Sequence, residues 1–167
     1  IEFCYEKGIK IVLNPAPAAA VPMEIIDKVT YVTPNEHEAV LIFGDELSTE
    51  DLLRKYPEKL VITQGSRGVS TCLKDGQILN VPARKAQVVD TTGAGDTLNG
   101  AFSVQIAEGK AIEDALAYAN VAASLSTEKF GAQTGMPTAE EVETALKILN
   151  GESVEKEIPV EMELITK

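Results

Sequence analysis

Gly93, Ala94, Gly95 and Asp96 stand where an extended, β-branched run gives way to apolar residues at helical spacing, Leu98, Ala101, Phe102 and Ile106. The pattern predicts that Gly93 to Asp96 form the first turn of a helix, where backbone N–H groups have no intrahelical acceptors. Such free donors, together with the positive end of the helix dipole, attract anions. Glycines let a large anion such as a triphosphate reach the backbone without meeting a Cβ, and Asp96 sets a carboxylate beside it. A helix N-terminus favours the ionised form, which can accept a hydroxyl proton. The arrangement reads as a phosphate cradle with a base, Asp96, built in. The same four residues also describe a plain strand-to-helix turn capped by an acid. No Gly-x-x-x-x-Gly-Lys-[Ser/Thr] run occurs, which excludes the P-loop solution.

A phosphate site needs a scaffold, and 167 residues, 44% of them hydrophobic, suffice for one domain with a sizeable core. Fifteen basic residues against 26 acidic ones leave a net charge of −11, which argues against a nucleic-acid surface and leaves no basic stripe for a membrane. Backbone donors and a divalent cation can still supply positive potential locally. Cys4 and Cys72 match no metal or redox spacing. With neither a signal-peptide start nor a membrane-length apolar run, the expected compartment is the cytoplasm.

Along the chain, Ile1 to Lys7 followed by Gly8 reads as the end of a helix, so the sequence is expected to begin mid-fold. Strands are predicted at Lys10–Leu13, Thr30–Thr33 and Lys59–Thr63, and Pro15, Pro17 and Pro34 break the ladders that would otherwise continue. Val69 to Lys74 alternates like an exposed strand, and Asp75-Gly76 turns it back into Gln77–Val81, an edge hairpin. Helices are expected over Pro22–Lys28, from an Asn35 cap to Phe43, from a Ser48/Asp51 capping box to Tyr56, and over Ala111–Leu125. A last helix follows the Thr138/Glu141 capping box, with Val142, Ala145, Leu146 and Leu149 on one face. Strands separated by helices favour an α/β fold, a mostly parallel sheet flanked by helices on both faces, with ligands at the strand carboxyl ends. Ile158 to Thr166 alternates apolar and acidic residues like a further exposed strand.

Asp90-Thr91-Thr92-Gly93-Ala94-Gly95-Asp96-Thr97-Leu98-Asn99-Gly100-Ala101-Phe102 resembles the signature of the ribokinase family of sugar kinases, in which Phe more often stands at the position of Leu98. Four further stretches share the resemblance in family order, from the start of the chain to about residue 149. Residues 1–149 then correspond to the C-terminal part of a ribokinase-like domain, lacking the N-terminal part and the β lid that recognise the sugar. Either that missing half or a homo-oligomeric partner would complete it. Residues 150–167 are a tail whose origin the resemblance leaves open, and Glu143–Lys167 faintly resembles the end of a ribose-type periplasmic binding protein.

The resemblance implies transfer of the γ-phosphoryl of ATP to the 5-hydroxyl of ribose, with Mg2+ and K+ as cofactors. Asp96 would be the base, and the amides of Gly93, Ala94 and Gly95 would stabilise charge on the phosphoryl oxygens. Lys10–Ala18 precedes Asn35-Glu36-His37-Glu38, the family's Asn-x-x-Glu motif, in which Asn35 would approach the phosphates and Glu38 would organise magnesium through water. Thr63-Gln64-Gly65-Ser66-Arg67-Gly68 resembles the nucleotide-binding turn, whose small residues let backbone lie against the nucleotide. Asn120 would lie beside the adenine. Lys129–Pro137 resembles the loop around a monovalent cation, with ligands at the Asp90 side chain, backbone oxygens of Thr92, Ser126, Lys129 and Gly131, and a last position at Gly135. Some members carry Ser there, so restoring a hydroxyl with Gly135→Ser is expected to strengthen activation by potassium. Another sugar or nucleoside kinase of the family, or an inactive nucleotide-binding fragment, is the alternative.

Overall fold

The computed structural model describes residues 1–154. The strand alternation expected at Ile158–Thr166 lies outside the described residues. Short apolar runs bounded by turn residues form β1 (Val12–Leu13), β2 (Tyr31–Val32), β3 (Val61–Thr63), β4 (Val69–Cys72) and β5 (Ile78–Val81). The helices are α1 (Glu2–Glu6), α2 (Met23–Lys28), α3 (Glu36–Phe43), α4 (Thr49–Lys55), α5 (Ala94–Ala107), α6 (Ile112–Ser126) and α7 (Ala139–Leu149).

β1 and β2 pair in parallel, Val12 opposite Tyr31 and Leu13 opposite Val32. Parallel bridges Val32 to Leu60 and Asn35 to Thr63 carry this side of the sheet across to β3. Antiparallel pairing then continues through β4 to β5. The turn between β4 and β5 closes as its sequence requires: Gly76 has φ 88°, and the Gln77 amide donates to Asp75 Oδ1 at 2.9 Å. The carboxyl ends of β1, β2 and β3 therefore release Asn14, Thr33 to Asn35, and Gln64 along one edge of the layer.

Two buried clusters lie on the two faces of this sheet. Ile26, Ala39, Leu52 and Leu53 of α2, α3 and α4 pack with Val32, Ile62 and Cys72. Leu98, Phe102 and Ile106 of α5 and Leu116 of α6 pack with Val61 and Val69 on the other side. Phe102 is fully buried and meets the Tyr31 ring edge-on at 5.1 Å between centroids. Burying such a side chain contributes about 1.5–3 kcal/mol, which anchors α5 against the parallel strands. Ala115 and Ala119 let α6 approach α5 closely, and Ala122 lets it approach Val142 of α7.

Three local expectations differ. β4 is buried along its whole length, because α4 covers one face and α5 with α6 the other. Its alternating polar residues are satisfied inside: Ser70 Oγ is 2.7 Å from Gln64 Oε1 and 2.6 Å from Asn80 Oδ1, and Thr71 Oγ1 donates to Leu60 O at 2.8 Å. Ser48 caps α4 by accepting from the Asp51 amide, but the shorter Asp51 side chain receives the Ser48 hydroxyl at 2.7 Å rather than closing a capping box. Leu149, expected on the buried face of α7, is 55% exposed, since Val142, Ala145 and Leu146 complete the contact with α6 before the last turn.

Candidate functional site

Gly93 caps α5 in the left-handed region, with φ 79°. A Cβ there would stand 2.9 Å from Ala132 Cβ, so glycine is required both by the backbone and by the loop pressed against it. The first helical bond runs from the Thr97 amide to Gly93 O at 2.8 Å. Helix geometry leaves the Gly95 and Asp96 amides as free donors. Of the three amides expected to face an anion, that of Ala94 instead donates to Thr91 O at 3.2 Å. The space where a Gly95 Cβ would stand is open, and Asp96 is exposed in the same turn.

Asn35 and Glu38 close a capping box: Asn35 Oδ1 accepts from the Glu38 amide at 2.8 Å, and Glu38 Oε2 accepts from the Asn35 amide at 2.7 Å. The Glu38 side chain is buried, whereas Asn35 is exposed. The parallel bridge between Asn35 and Thr63 sets this helix start beside the Thr63–Gly68 turn. Arg67 Nη2 reaches both carboxylate oxygens of Glu36 at 2.5 Å, tying the two stretches together at the surface. Gly65, Ser66 and Arg67 form a single exposed 3-10 turn.

Gly68 is small for a different reason from the one the sequence suggests. A Cβ on it would lie 2.0 Å from Val81 O and 2.7 Å from Ala83 N, so the chain itself, leaving β5, fills that space. A nucleotide cannot lie against that side of Gly68. Asn120 belongs to the same arrangement: it is 4% exposed, and its Nδ2 donates to Val81 O at 3.2 Å and Pro82 O at 2.7 Å. The amide thereby fastens the segment that crosses Gly68.

The residues of the expected cation loop converge. Asp90 Oδ1 accepts from the Thr92 amide and Oδ2 from the Gly131 amide, both at 2.9 Å. Side-chain and backbone hydrogen bonds from Thr92, followed by the Gly131 amide, hold the Asp90 carboxyl below its ordinary pKa. Gly135 is buried, its amide donates to Gly131 O at 2.8 Å, and a Cβ there would meet Ser126 O at 2.6 Å, Gly131 O at 2.8 Å and Lys129 O at 3.6 Å. Three carbonyls therefore surround one glycine. No room exists for the seryl side chain proposed from sequence, so Gly135→Ser would displace these oxygens rather than add one. Lys129 Nζ pairs with Glu141 at 2.9 Å and secures the loop to α7.

Sequence reasoning assigned no role to Asn14, Thr33 and Asn99, which link the separate stretches. Asn99 Nδ2 donates to Gly95 O at 2.9 Å, and Asn99 Oδ1 accepts from Thr33 Oγ1 at 2.5 Å. Asn14 Nδ2 donates to Thr33 O at 3.0 Å. The four-residue interval from Gly95 to Asn99 signals the first of these bonds; the others depend on strand placement. Among the described residues no group of three His, Cys, Asp or Glu side chains gathers for a metal ion. No helix among them is long and apolar enough to cross a membrane.

An α/β layer with glycine-rich loops and a helix N-terminus gathered at the carboxyl ends of its strands defines the class of protein. The family model for pfkB family carbohydrate kinases matches residues 1–139, and the chain belongs to that family. It is 52% identical over 145 residues to a ribokinase of Bacillus subtilis, covering 87% of this chain and 49% of the relative. A ribokinase of Lactococcus lactis is 50% identical over 149 residues, with 89% and 49% covered. The structure of Arabidopsis thaliana ribokinase complexed with ribose and ATP superposes with a TM-score of 0.78 at 29% identity, over 87% of this chain and 50% of that one. A Burkholderia thailandensis nucleoside kinase in complex with inosine gives the same TM-score, 0.78, at 27% identity, over 90% and 52%. The chain thus spans about half the length of the curated relatives it matches.

Proposed function

We infer that this chain carries the nucleotide and catalytic part of a kinase that transfers the γ-phosphoryl of ATP to the 5-hydroxyl of ribose. The observation that carries the reading is the first turn of α5, where free amides at Gly95 and Asp96 border open space and the Asp96 carboxylate stands beside them. Its support for ribose is the identity of 50–52% to ribokinases, since ribokinase and nucleoside kinase structures are matched equally well in shape. Other family substrates are the second reading on that account.

Catalysis by such a site rests on positioning and on charge stabilisation. The Gly95 and Asp96 amides donate to oxygens of the transferred phosphoryl group, whose charge they stabilise without reorganising. Asp96 accepts the hydroxyl proton as the oxygen attacks phosphorus, and the nucleoside diphosphate leaves. Asn35 borders the nucleotide phosphates, and the Gly65–Arg67 turn lies against the nucleotide. Asn120, committed to Val81 and Pro82, acts on the adenine side by fixing the backbone there.

Magnesium fits if water and phosphate supply most of its ligands, because among the described residues Glu38 belongs to no group of three His, Cys, Asp or Glu side chains and one of its oxygens serves the Asn35 amide. The carbonyls of Ser126, Lys129 and Gly131 around Gly135, with the Asp90 carboxylate nearby on Gly131, suit a weakly hydrated monovalent cation such as potassium. Bound there, these ions would offset phosphate charge.

The test joins the unmatched half of the Bacillus subtilis relative ahead of Ile1 and measures ribose phosphorylation with magnesium and potassium. Asp96→Asn should lower kcat by about 10²–10⁴-fold while calorimetric ATP affinity changes little. Near-normal turnover in a folded Asp96→Asn protein would remove Asp96 as the base. Turnover on inosine but not ribose would favour the nucleoside reading.

A further inference from the structure

The contacts of Asn99 and Thr33 extend the proposed phosphoryl-transfer site, and the inference rests on that reading. Asn99 lies one turn into α5, and its side chain bonds in two directions: Nδ2 to Gly95 O at 2.9 Å and Oδ1 to the Thr33 hydroxyl at 2.5 Å. Thr33 is 1% exposed and sits at the carboxyl end of β2, two residues before Asn35. Its backbone is held by the end of β1 and by the residue that follows it, the Thr33 amide donating to Leu13 O at 2.9 Å and Thr33 O accepting from Asn14 Nδ2 at 3.0 Å. The hydroxyl is thus presented from a fixed strand end.

We propose that Asn99 and Thr33 are positioning residues that lock the first turn of α5, and with it the Gly95 and Asp96 amides and the Asp96 carboxylate, to the strand that delivers Asn35 and Glu38. The physical need is plain. Gly95 has no side chain with which to brace the turn, and its Cβ side faces open space. Gly93, at the cap, likewise has no side chain with which to brace the turn. A carboxylate that must meet a hydroxyl while two amides meet a phosphoryl group needs its turn held to within a fraction of an ångström. The side chain of Asn99 supplies that brace by bonding the carbonyl of Gly95 itself, and Thr33 gives the brace a buried, strand-borne anchor. Because the same strand end continues into Asn35, the transferring and nucleotide-holding halves of the site move as one body. The geometry assigns a reason for an amide at residue 99: it donates to a carbonyl and accepts from a hydroxyl at once, which neither aspartate nor leucine can do.

The chimera described above tests this with Thr33→Val, Thr33→Ser, Asn99→Leu and the double variant Thr33→Val/Asn99→Leu. Thr33→Val and Asn99→Leu should each lower kcat for ribose about tenfold with KM for ATP changed less than twofold; the double variant should be no worse than the poorer single, and Thr33→Ser should recover most of the loss. Residues 1–167 alone provide a second measurement, hydrogen exchange at the Thr97 amide that closes the first turn on Gly93. Thr33→Val should speed that exchange and Thr33→Ser should not. Faster exchange with no ribose turnover in the unmutated chimera would overturn the ribokinase reading and support the positioning one. Unchanged exchange and kcat in Thr33→Val, or a Thr33→Ser protein as impaired as Thr33→Val, would overturn the positioning role.

Discussion

Placing serine at residue 135 adds a Cβ where three carbonyls already converge. The added atom would lie 2.6 Å from Ser126 O and 2.8 Å from Gly131 O, against the 3.4 Å at which ordinary contact begins. Both obstructing atoms are backbone, and one of them, Gly131 O, also accepts the Gly135 amide at 2.8 Å. Neither can swing aside as a side chain would, so the 131–135 turn must open. Overpacking of this kind costs about 1–3 kcal/mol, which at ~2–4 °C per kcal/mol corresponds to a fall in Tm of several degrees. Opening the turn also spreads the oxygens that suit a cation and loosens the Gly131 amide from Asp90. Thermal melts of residues 1–167 in potassium chloride and in tetramethylammonium chloride at equal ionic strength read both effects. Gly135→Ser should melt lower in both salts, with the stabilisation by potassium reduced. A variant that melts as high as the parent and gains more from potassium would refute the steric argument and restore the missing-hydroxyl view.

Asp90 provides a pH dependence of definite sign. Its carboxyl is held below the ordinary value by Thr92 and Gly131, so the stability it adds is fully present above the unfolded pKa, about 3.9, and is lost as pH falls through the depressed folded value. The gap in denaturant midpoint between the parent and Asp90→Asn should be constant from pH 7 to about 5 and shrink below that; a gap that widens on acidification would contradict it. Thr97 Oγ1 is buried without a hydrogen-bond partner among the described residues, unlike Thr71 Oγ1, which reaches Leu60 O at 2.8 Å. Thr97→Val should therefore be neutral or stabilising by up to ~1 kcal/mol, while Thr71→Val should cost about that much. Urea midpoints for the pair decide, and a larger loss at Thr97 than at Thr71 would show that its hydroxyl is satisfied.

Local signals were legible wherever a residue's role is set by near neighbours. The Thr138/Glu141 capping box and the Asn35 cap of α3 form as the sequence leads one to expect, because the partners lie within one helical turn, and Glu38 closes a second box on the Asn35 amide that the cap alone did not announce. Leu98, Phe102 and Ile106 turn one face of α5 to the core, and Gly93 takes the positive φ that ends the extended run. The α/β class and the family followed from these patterns, since strand and helix periods and a long glycine-bearing motif are properties of consecutive residues. What tertiary structure decided involves groups far apart in sequence. β4 reads as half exposed because alternation cannot report that helices cover both its faces. Gly68 reads as room for a nucleotide, yet the strand exit at Val81–Ala83 occupies it. Gly135 reads as a lost hydroxyl, yet carbonyls from Ser126 and Gly131 leave no volume for one. Thr33 and Asn99 are separated by 66 positions and meet only because β2 and α5 pack across the same layer. Sequence determined which turns and caps form, through bonds a few residues long; packing alone decided which of those turns share a space, because the distances that exclude a Cβ or close a hydrogen bond are set by elements from different parts of the chain.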